Sequence, residues 1–292
     1  MSKKKALIIF GPTSSGKSSL AMQIAKSYDS IIINADSLQV YKELRIITSR
    51  PSIEDENNFT HKLYGFLNGS QNCTLSMWLD FTKIEINKAL AEDKLPIVVG
   101  GTGMYLNGLI NGISSIPNIP LSIQDETKIE IKKNGLHSIF EILHNKNKNL
   151  KINPNDTQRI LRAYNVLKTT GKTIEECNLN NKEIIHDLEF DILIQTFNRE
   201  KIYRDSEKRF DKMIDNGAVD EVRELIKKDY NNDLSIMKAI GVREITGYIQ
   251  NDLSIDKAIE LTKQKTRNYI KRQITWINGN NITQNTILKK YM

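Results

Sequence analysis

The chain has 292 residues, of which 39% are hydrophobic and 26% charged, with a formal net charge of +7. That balance excludes a disordered chain and suits a globular protein of one large domain with an appendage, or of two domains, with some affinity for polyanions. The two cysteines, Cys73 and Cys177, exclude a disulfide framework or a cysteine-based metal site, and no apolar run approaches the length of a membrane span. The N-terminus, Met1-Ser-Lys-Lys-Lys, runs straight into a strand without an apolar leader core, so a reducing, cytoplasmic setting without a membrane anchor is expected.

Residues 6–10 read as a buried strand, 11–16 as a glycine-bracketed loop, and the stretch from Lys17 onward as a helix. This is G-x-x-x-x-G-K-S with a strand before it and a helix after it. Gly11, Pro12, Thr13, Ser14, Ser15, Gly16, Lys17 and Ser18 are therefore read as a cradle for a di- or triphosphate. Inward-facing backbone N–H groups and the positive end of the helix would hold the anion. Lys17 would neutralise phosphate oxygens, and the Ser18 hydroxyl would reach a phosphate oxygen or Mg²⁺. The motif specifies neither the phosphate compound nor whether a phosphate is transferred.

Residues 30–36 form a second β-branched strand that ends in a carboxylate, Asp36. Ligands of open α/β sheets bind at the carboxyl ends of strands, so Asp36 lies beside the phosphate loop if these two strands are neighbours. There it could act as a general base, a Mg²⁺ ligand or an acceptor for a ribose or base; the blander alternative is a helix N-cap. Residues 45–51 look irregular and 53–56 like a polar turn, and 61–67 read as a third strand. Met77, Phe81, Ile84, Ala89 and Leu90 recur at helical spacing within 74–93. A fourth strand at 95–99 runs into Gly100-Gly101-Thr102-Gly103, followed by a helical turn at 104–109. This alternation predicts an α/β fold with a parallel sheet flanked by helices. A strand-end aspartate for Mg²⁺ is missing at Gly100, which argues against a nucleotide hydrolase. The glycines instead suit close approach of a flat or bulky ligand, or simply a tight turn.

From residue 111 the pattern turns helical. Pro117 and Pro120 suggest a hinge, helices are expected at 122–133, 136–144 and 156–169 with a polar linker at 145–153, and Gly171 stops the last of them. An α-helical insertion over 116–189 within a core of 1–115 and 190–292 is the expected division. A strand at 190–197 returns to the core, and helices at 200–216, 219–228 and 256–277 complete a helical C-terminus. Arginines gather at Arg159 and Arg162, at Arg199, Arg204 and Arg209, and at Arg267 and Arg272 with Lys271. Tyr269, Gln273 and Trp276 are interleaved with the last group, a pairing that suits stacking on splayed bases and contact with phosphates. His61, His137, His144 and His186 are scattered and at no metal-ligand spacing.

Several segments together resemble the bacterial tRNA dimethylallyltransferase family: 11–18, Asn34-Ala-Asp-Ser-Leu-Gln-Val-Tyr-Lys42, Pro96-Ile-Val-Val-Gly-Gly-Thr-Gly-Met-Tyr-Leu106, Asn155-Asp-Thr-Gln-Arg-Ile-Leu-Arg-Ala163 with Thr170-Gly-Lys172, Lys238-Ala-Ile-Gly-Val-Arg-Glu244 and Lys271-Arg-Gln-Ile-Thr-Trp276. They occur in the family's order and cover nearly the whole chain. The resemblance implies a P-loop NTPase-like core that transfers a dimethylallyl group from dimethylallyl diphosphate to N6 of adenosine 37, beside the tRNA anticodon, with Mg²⁺ assisting. It assigns Asp36 as base and Ser18 and Arg209 to the diphosphate. It places tRNA contacts at Asp36, Ser37, Leu38, Gln39, Thr102, Gln124, Gln158, Arg159, Ile160, Leu161, Arg162, Arg243, Lys271, Arg272, Gln273 and Trp276. The expected partner is the anticodon stem-loop, and the expected state a monomer of the bacterial form without a C-terminal zinc finger. The chain departs from the family's usual pattern at Val242 (tyrosine), at Asp205-Ser206 (Arg-Ile) and at Gln124 (a basic residue). Alternatives are an adenylate isopentenyltransferase acting on free nucleotides, a small-molecule P-loop kinase, and a non-catalytic RNA-binding protein.

Overall fold

The computed structural model describes residues 4–114, 116, 119–178, 182–183, 188–195 and 198–280. It divides into two compact units, Met1–Ile110 with Ile185–Met292, and Asn111–Ile184. In the first unit, β1 (Lys4–Phe10) leads through the phosphate loop into α1 (Lys17–Ala25), followed by β2 (Ser30–Asn34). An irregular stretch reaches α2 (Ile53–Asn58), the two-residue β3 (His61–Lys62), α3 (Leu75–Ala91), β4 (Leu95–Gly100) and α4 (Gly103–Asn111). The second unit holds β5 (Ile113–Ser114), α5 (Leu121–Asn134), α6 (Leu136–Lys146), α7 (Thr157–Thr170), α8 (Ile174–Asn178) and β6 (Lys182–Glu183). The chain returns to the first unit as β7 (Leu188–Ile194), α9 (Arg199–Asp215), α10 (Ala218–Ile226), a 3-10 turn at Ser235–Lys238, α11 (Val242–Ile249) and α12 (Ile255–Gly279).

The sheet of the first unit is parallel, in the order β3-β2-β4-β1-β7. Side chains alternate across each strand, so both faces need cover. Leu7, Ile9, Ile32, Ile97 and Val99 pack with Leu20, Ala21 and Ile24 of α1 on one face. On the other, Phe10 meets Trp276 of α12 edge-on at 5.2 Å. Trp78 of α3 stacks on Tyr105 of α4 and donates its indole N–H to the Asn34 carbonyl at 2.8 Å. A second core joins Val40, Tyr41, Leu44 and Ile47 to Phe210, Met213, Val222 and Ile245 of α9, α10 and α11.

Several expectations are corrected. β4 lies between β2 and β1, so the first two strands are not neighbours. The third strand shrinks to His61–Lys62, with one further bridge pairing Tyr41 and Leu67. Residues 53–56 belong to a helix, because Ser52 and Asp55 form a capping box. α3 forms as expected but buries a different face: Trp78, Leu79, Thr82, Ile86 and Ala89 are inside, whereas Phe81 and Ile84 are 40% and 46% exposed. α11 was not foreseen, since its eight residues are too short to show a clear period. Its start is fixed by Gly241, at φ 99°, with Glu244 accepting from the Gly241 N–H. Pro117, His186, Thr196 and Phe197 lie outside the described residues.

In the second unit α5, α6 and α7 pack around Ile139, Leu143, Ile160 and Ala163. Lys168 of α7 pairs with Glu126 at 3.1 Å and Glu130 at 2.8 Å on α5. Asp156 caps α7 by accepting from the Arg159 N–H, and Gly171 ends it at φ 70°.

Candidate active site

The phosphate loop turns sharply between β1 and α1. Ser14 and Gly16 both adopt left-handed backbone, φ 62° and 85°, which a glycine takes at little cost and a serine only under constraint. α1 has no side-chain N-cap bond and no acidic residue in its first turn. The N–H groups of Ser14, Gly16, Lys17 and Ser18 take part in none of the hydrogen bonds found among the described residues. The hydroxyls of Ser14 and Ser15 are buried without a hydrogen-bond partner among the described residues. A helix start with open donors beside buried hydroxyls offers the donor set that an anion requires. Lys17 donates to the Pro12 carbonyl at 2.7 Å. Burial brings its ammonium down to about 8; Asp36 opposes that shift and Arg209 adds to it.

Asp36 reaches this loop across β4 rather than alongside β1. Gly100 makes that possible, since a Cβ there would sit 2.1 Å from the Ala35 carbonyl oxygen. Asp36 caps no helix. Its N–H donates to Asn34 Oδ1 at 2.8 Å, and its Oδ1 accepts from the Leu38 N–H at 2.9 Å. Asn34 is itself fixed, its Nδ2 donating to the carbonyls of Asp36 and Leu63, both at 3.0 Å. One carboxylate oxygen is thus fastened and Oδ2 is left with no described partner.

Two cavities open here. The first, about 390 Å³, is polar and lined by the loop residues Thr13 to Ser19 except Ser15, with Gln39, Ser49, Tyr64 and Asp205. The second, about 330 Å³, is lined mainly by Leu38, Ile47, Phe210, Met213, Ile240 and Tyr269, with Lys238 and Arg272 among its polar groups. Thr13, Asp36, Thr48 and Arg209 line both. Arg209 comes from α9; its Nε is buried with no hydrogen-bond partner, and burial holds its guanidinium below its usual range against the pull of Asp36. The Tyr269 phenol is pushed up by burial and by Asp36, so it stays protonated.

The other expected residues separate into groups. Ser37 and Leu38 line the second cavity, and the Ser37 N–H donates to Thr102 Oγ1 at 3.2 Å. Gln39 lines the first cavity instead, its amide donating to the carbonyls of Thr48 and Ser49. Lys271, Arg272 and Arg243 are exposed, and Arg272 lies over the Tyr269 ring. Gln158, Arg159 and Arg162 are exposed on α7, and Leu161 is half-buried. Ile160 is fully buried in the helical core, so its side chain cannot face RNA. Gln124 donates to the Ile119 carbonyl at 3.0 Å. Gln273 is 5% exposed and both ends of its amide bond the protein, while half-buried Trp276 packs on Phe10. The glycines of 100–103 make room for Ala35, Gln273 and Trp276, so they serve the chain's own close packing rather than a flat ligand. Arg267 is ion-paired with Glu207 of α9.

Sequence reasoning missed Ile47 and Thr48, which sit in the irregular stretch. Glu221 of α10 pins that stretch by accepting from the N–H groups of Arg45, Ile46 and Ile47 at 2.7–2.8 Å. It also missed Tyr64, Phe210 and Met213 as lining residues. The last two follow Arg209 on α9 and lie three residues apart, which was the available signal.

A family model described as IPP transferase matches residues 39–280, and one described as Isopentenyl transferase matches residues 4–70. A tRNA dimethylallyltransferase of Pelagibacter ubique (strain HTCC1062) is 39% identical over 94% of this chain and 88% of its own. A eukaryotic dimethylallyltransferase, solved in a study of its action on tRNA, superposes with a TM-score of 0.81 at 27% identity, over 94% of this chain and 70% of that one. A tRNA isopentenylpyrophosphate transferase structure from Staphylococcus epidermidis superposes with a TM-score of 0.66 at 27% identity, over 94% and 90%.

Proposed function

The chain belongs to the tRNA dimethylallyltransferase family, an assignment that makes it a prenyltransferase acting on tRNA, and from that premise we propose how its two cavities divide the work. The polar cavity takes the diphosphate of dimethylallyl diphosphate, and the second takes an adenine turned out of the anticodon stem-loop, adenosine 37. The observation that carries this reading is that Asp36 and Arg209 line both cavities at once. A group transferred from one cavity to the other would pass them.

In the proposed reaction the adenine N6 attacks the allylic carbon. The N6–carbon bond forms, the carbon–oxygen bond to the diphosphate breaks, and the N6 proton goes to Asp36. An exocyclic amine is a weak nucleophile, so orientation contributes as much as the base. Asn34 fixes the backbone of Asp36, and the Leu38 N–H holds one of its carboxylate oxygens. Arg209, Lys17 and the loop N–H groups stabilise the charge that grows on the leaving diphosphate. The base must leave its stack to enter, and the apolar lining from Leu38, Phe210 and Met213 offsets that cost.

Ser18 and Asp205 line the polar cavity together, and a hydroxyl with a carboxylate suits a hard divalent cation such as Mg²⁺, completed by phosphate oxygens. When bound, the ion would neutralise leaving-group charge. Among the described residues no cluster of three or more His, Cys, Asp or Glu side chains could hold a metal by itself. No helix among them is long and apolar enough to cross a membrane. The protein is proposed to act as a monomer.

Labelled dimethylallyl diphosphate, unmodified tRNA and Mg²⁺, with excess AMP as competitor, test the reading. Label enters the tRNA and AMP does not suppress it. Label in AMP and none in tRNA would overturn it in favour of a free-nucleotide enzyme.

A further inference from the structure

Gln273 lies on the helix that carries the exposed cations Lys271 and Arg272, yet it does not face solvent. Its Oε1 accepts from the Thr13 N–H at 2.9 Å, inside the phosphate loop. Its Nε2 donates to the Gly101 carbonyl at 2.9 Å, just past the end of β4. A Cβ on residue 101 would stand 2.4 Å from that Nε2, so the glycine is the space into which the amide fits. Thr13 lines both cavities, and Tyr269 and Arg272, four and one residues before Gln273 on α12, line the second.

We infer that Gln273 is a positioning residue that ties the RNA-side helix α12 to the phosphate loop. The inference rests on the proposed division of the two cavities. By fixing the Thr13 N–H, the amide sets the pitch of the loop and leaves the following donors directed at the anion. Because the same side chain is anchored on α12, a base seated against Tyr269 and Arg272 stabilises the one loop arrangement that binds diphosphate. Each substrate then tightens the other, by the reciprocity that links any two coupled sites. An amide is required because one end must accept and the other donate; a carboxylate would oppose an oxygen to the Gly101 carbonyl.

Binding of inorganic pyrophosphate with Mg²⁺, and of tRNA, to the full chain tests this in wild type, Gln273→Ala and Gln273→Glu. Wild type binds pyrophosphate more tightly with tRNA present. In Gln273→Ala, pyrophosphate affinity falls about tenfold, the worth of one lost buried hydrogen bond, and the enhancement by tRNA disappears. Affinity of that variant for tRNA alone is unchanged. In Gln273→Glu, which keeps the shape should the alanine variant not fold, pyrophosphate affinity recovers toward wild type on acidification, as the carboxyl regains a proton to donate to Gly101. Wild-type pyrophosphate binding and coupling in Gln273→Ala would overturn the inference. So would loss of tRNA affinity alone, which would make Gln273 an RNA contact, or a Gln273→Glu variant whose pH dependence matches wild type. Absence of prenyl transfer by the wild type would count against the proposed function and leave these binding results readable.

Discussion

Asp36 and Arg209 come from distant parts of the chain, just past the end of β2 and the middle of α9, and line the same two cavities. Among the described residues it is the Asp36 carboxylate that opposes the desolvation of the guanidinium. The arginine is therefore held charged at a place where its Nε has no hydrogen-bond partner among the described residues. A buried cation with a free donor suits the anionic leaving group of the proposed reaction.

Replacing that cation separates stability from function. Arg209→Gln removes a buried charge that makes no hydrogen bond to Asp36 and leaves its own Nε unpaired among the described residues, so the free protein unfolds at the same temperature or higher. Saturating pyrophosphate raises the melting temperature of wild type, and this rise is lost in the variant. Thermal scans with and without pyrophosphate check it. An equal ligand-induced rise would show that Arg209 does not touch the diphosphate.

The pH dependence follows from Lys17. Its ammonium sits at about 8 in the free fold, against roughly 10.4 in an unfolded chain. Between those values the unfolded chain holds more protons, so this group's contribution to stability rises as pH rises through the window. A bound diphosphate favours the charged form and takes the proton back. Diphosphate affinity is therefore highest below pH 8 and falls above it, by a factor approaching about tenfold per pH unit. Calorimetry in buffers of different ionisation enthalpy measures the proton uptake, which Lys17→Met abolishes.

Asp205 places a negative charge in the polar cavity. On the proposed reading it repels diphosphate without a cation and helps to hold it with one. Asp205→Asn should bind pyrophosphate more tightly in EDTA and gain less from added Mg²⁺. Titration of pyrophosphate at several Mg²⁺ concentrations reads both effects, and an unchanged Mg²⁺ midpoint would remove Asp205 from the cation's surroundings.

Exposed cations set the salt dependence of tRNA binding. Charge reversal at Arg159 and Arg162 on α7, or at Lys271 and Arg272 on α12, should weaken tRNA and flatten the dependence of log affinity on log salt by about one unit or more per pair. Arg267 should matter less, because Glu207 already engages it. Affinity measured across a salt series distinguishes the positions.

Much of this was legible in the sequence because it is local. The phosphate loop, Asp36 at a strand end, the Asp156 and Gly171 caps of α7 and the length of α12 are each written in a few adjacent residues. Pairings across the fold were not. Nothing near Ser30 reveals that β4 separates β2 from β1, and the burial of Trp78 in place of Phe81 depends on where the Asn34 carbonyl lies. The glycines of 100–103 read as room for a ligand because their true neighbours, Gln273 and Trp276, lie some 170 residues away. Ile47 and Thr48 lie in a turn, as expected, but nothing near them shows that the stretch is fixed in the site, because Glu221, which holds the N–H groups of residues 45–47, belongs to a distant helix.

The central claim is that Asp36 takes the N6 proton of an adenine that meets dimethylallyl diphosphate where the two cavities join. Nucleoside mass spectrometry of tRNA after single-turnover reaction with wild type and Asp36→Asn, alongside tRNA binding to both, tests it most directly. The account predicts one five-carbon unit on N6 of adenosine 37 with wild type, and a rate lower by about 10²-fold or more in the variant at equal tRNA affinity. A product on another atom or nucleoside, or an undiminished rate in the variant, would contradict it.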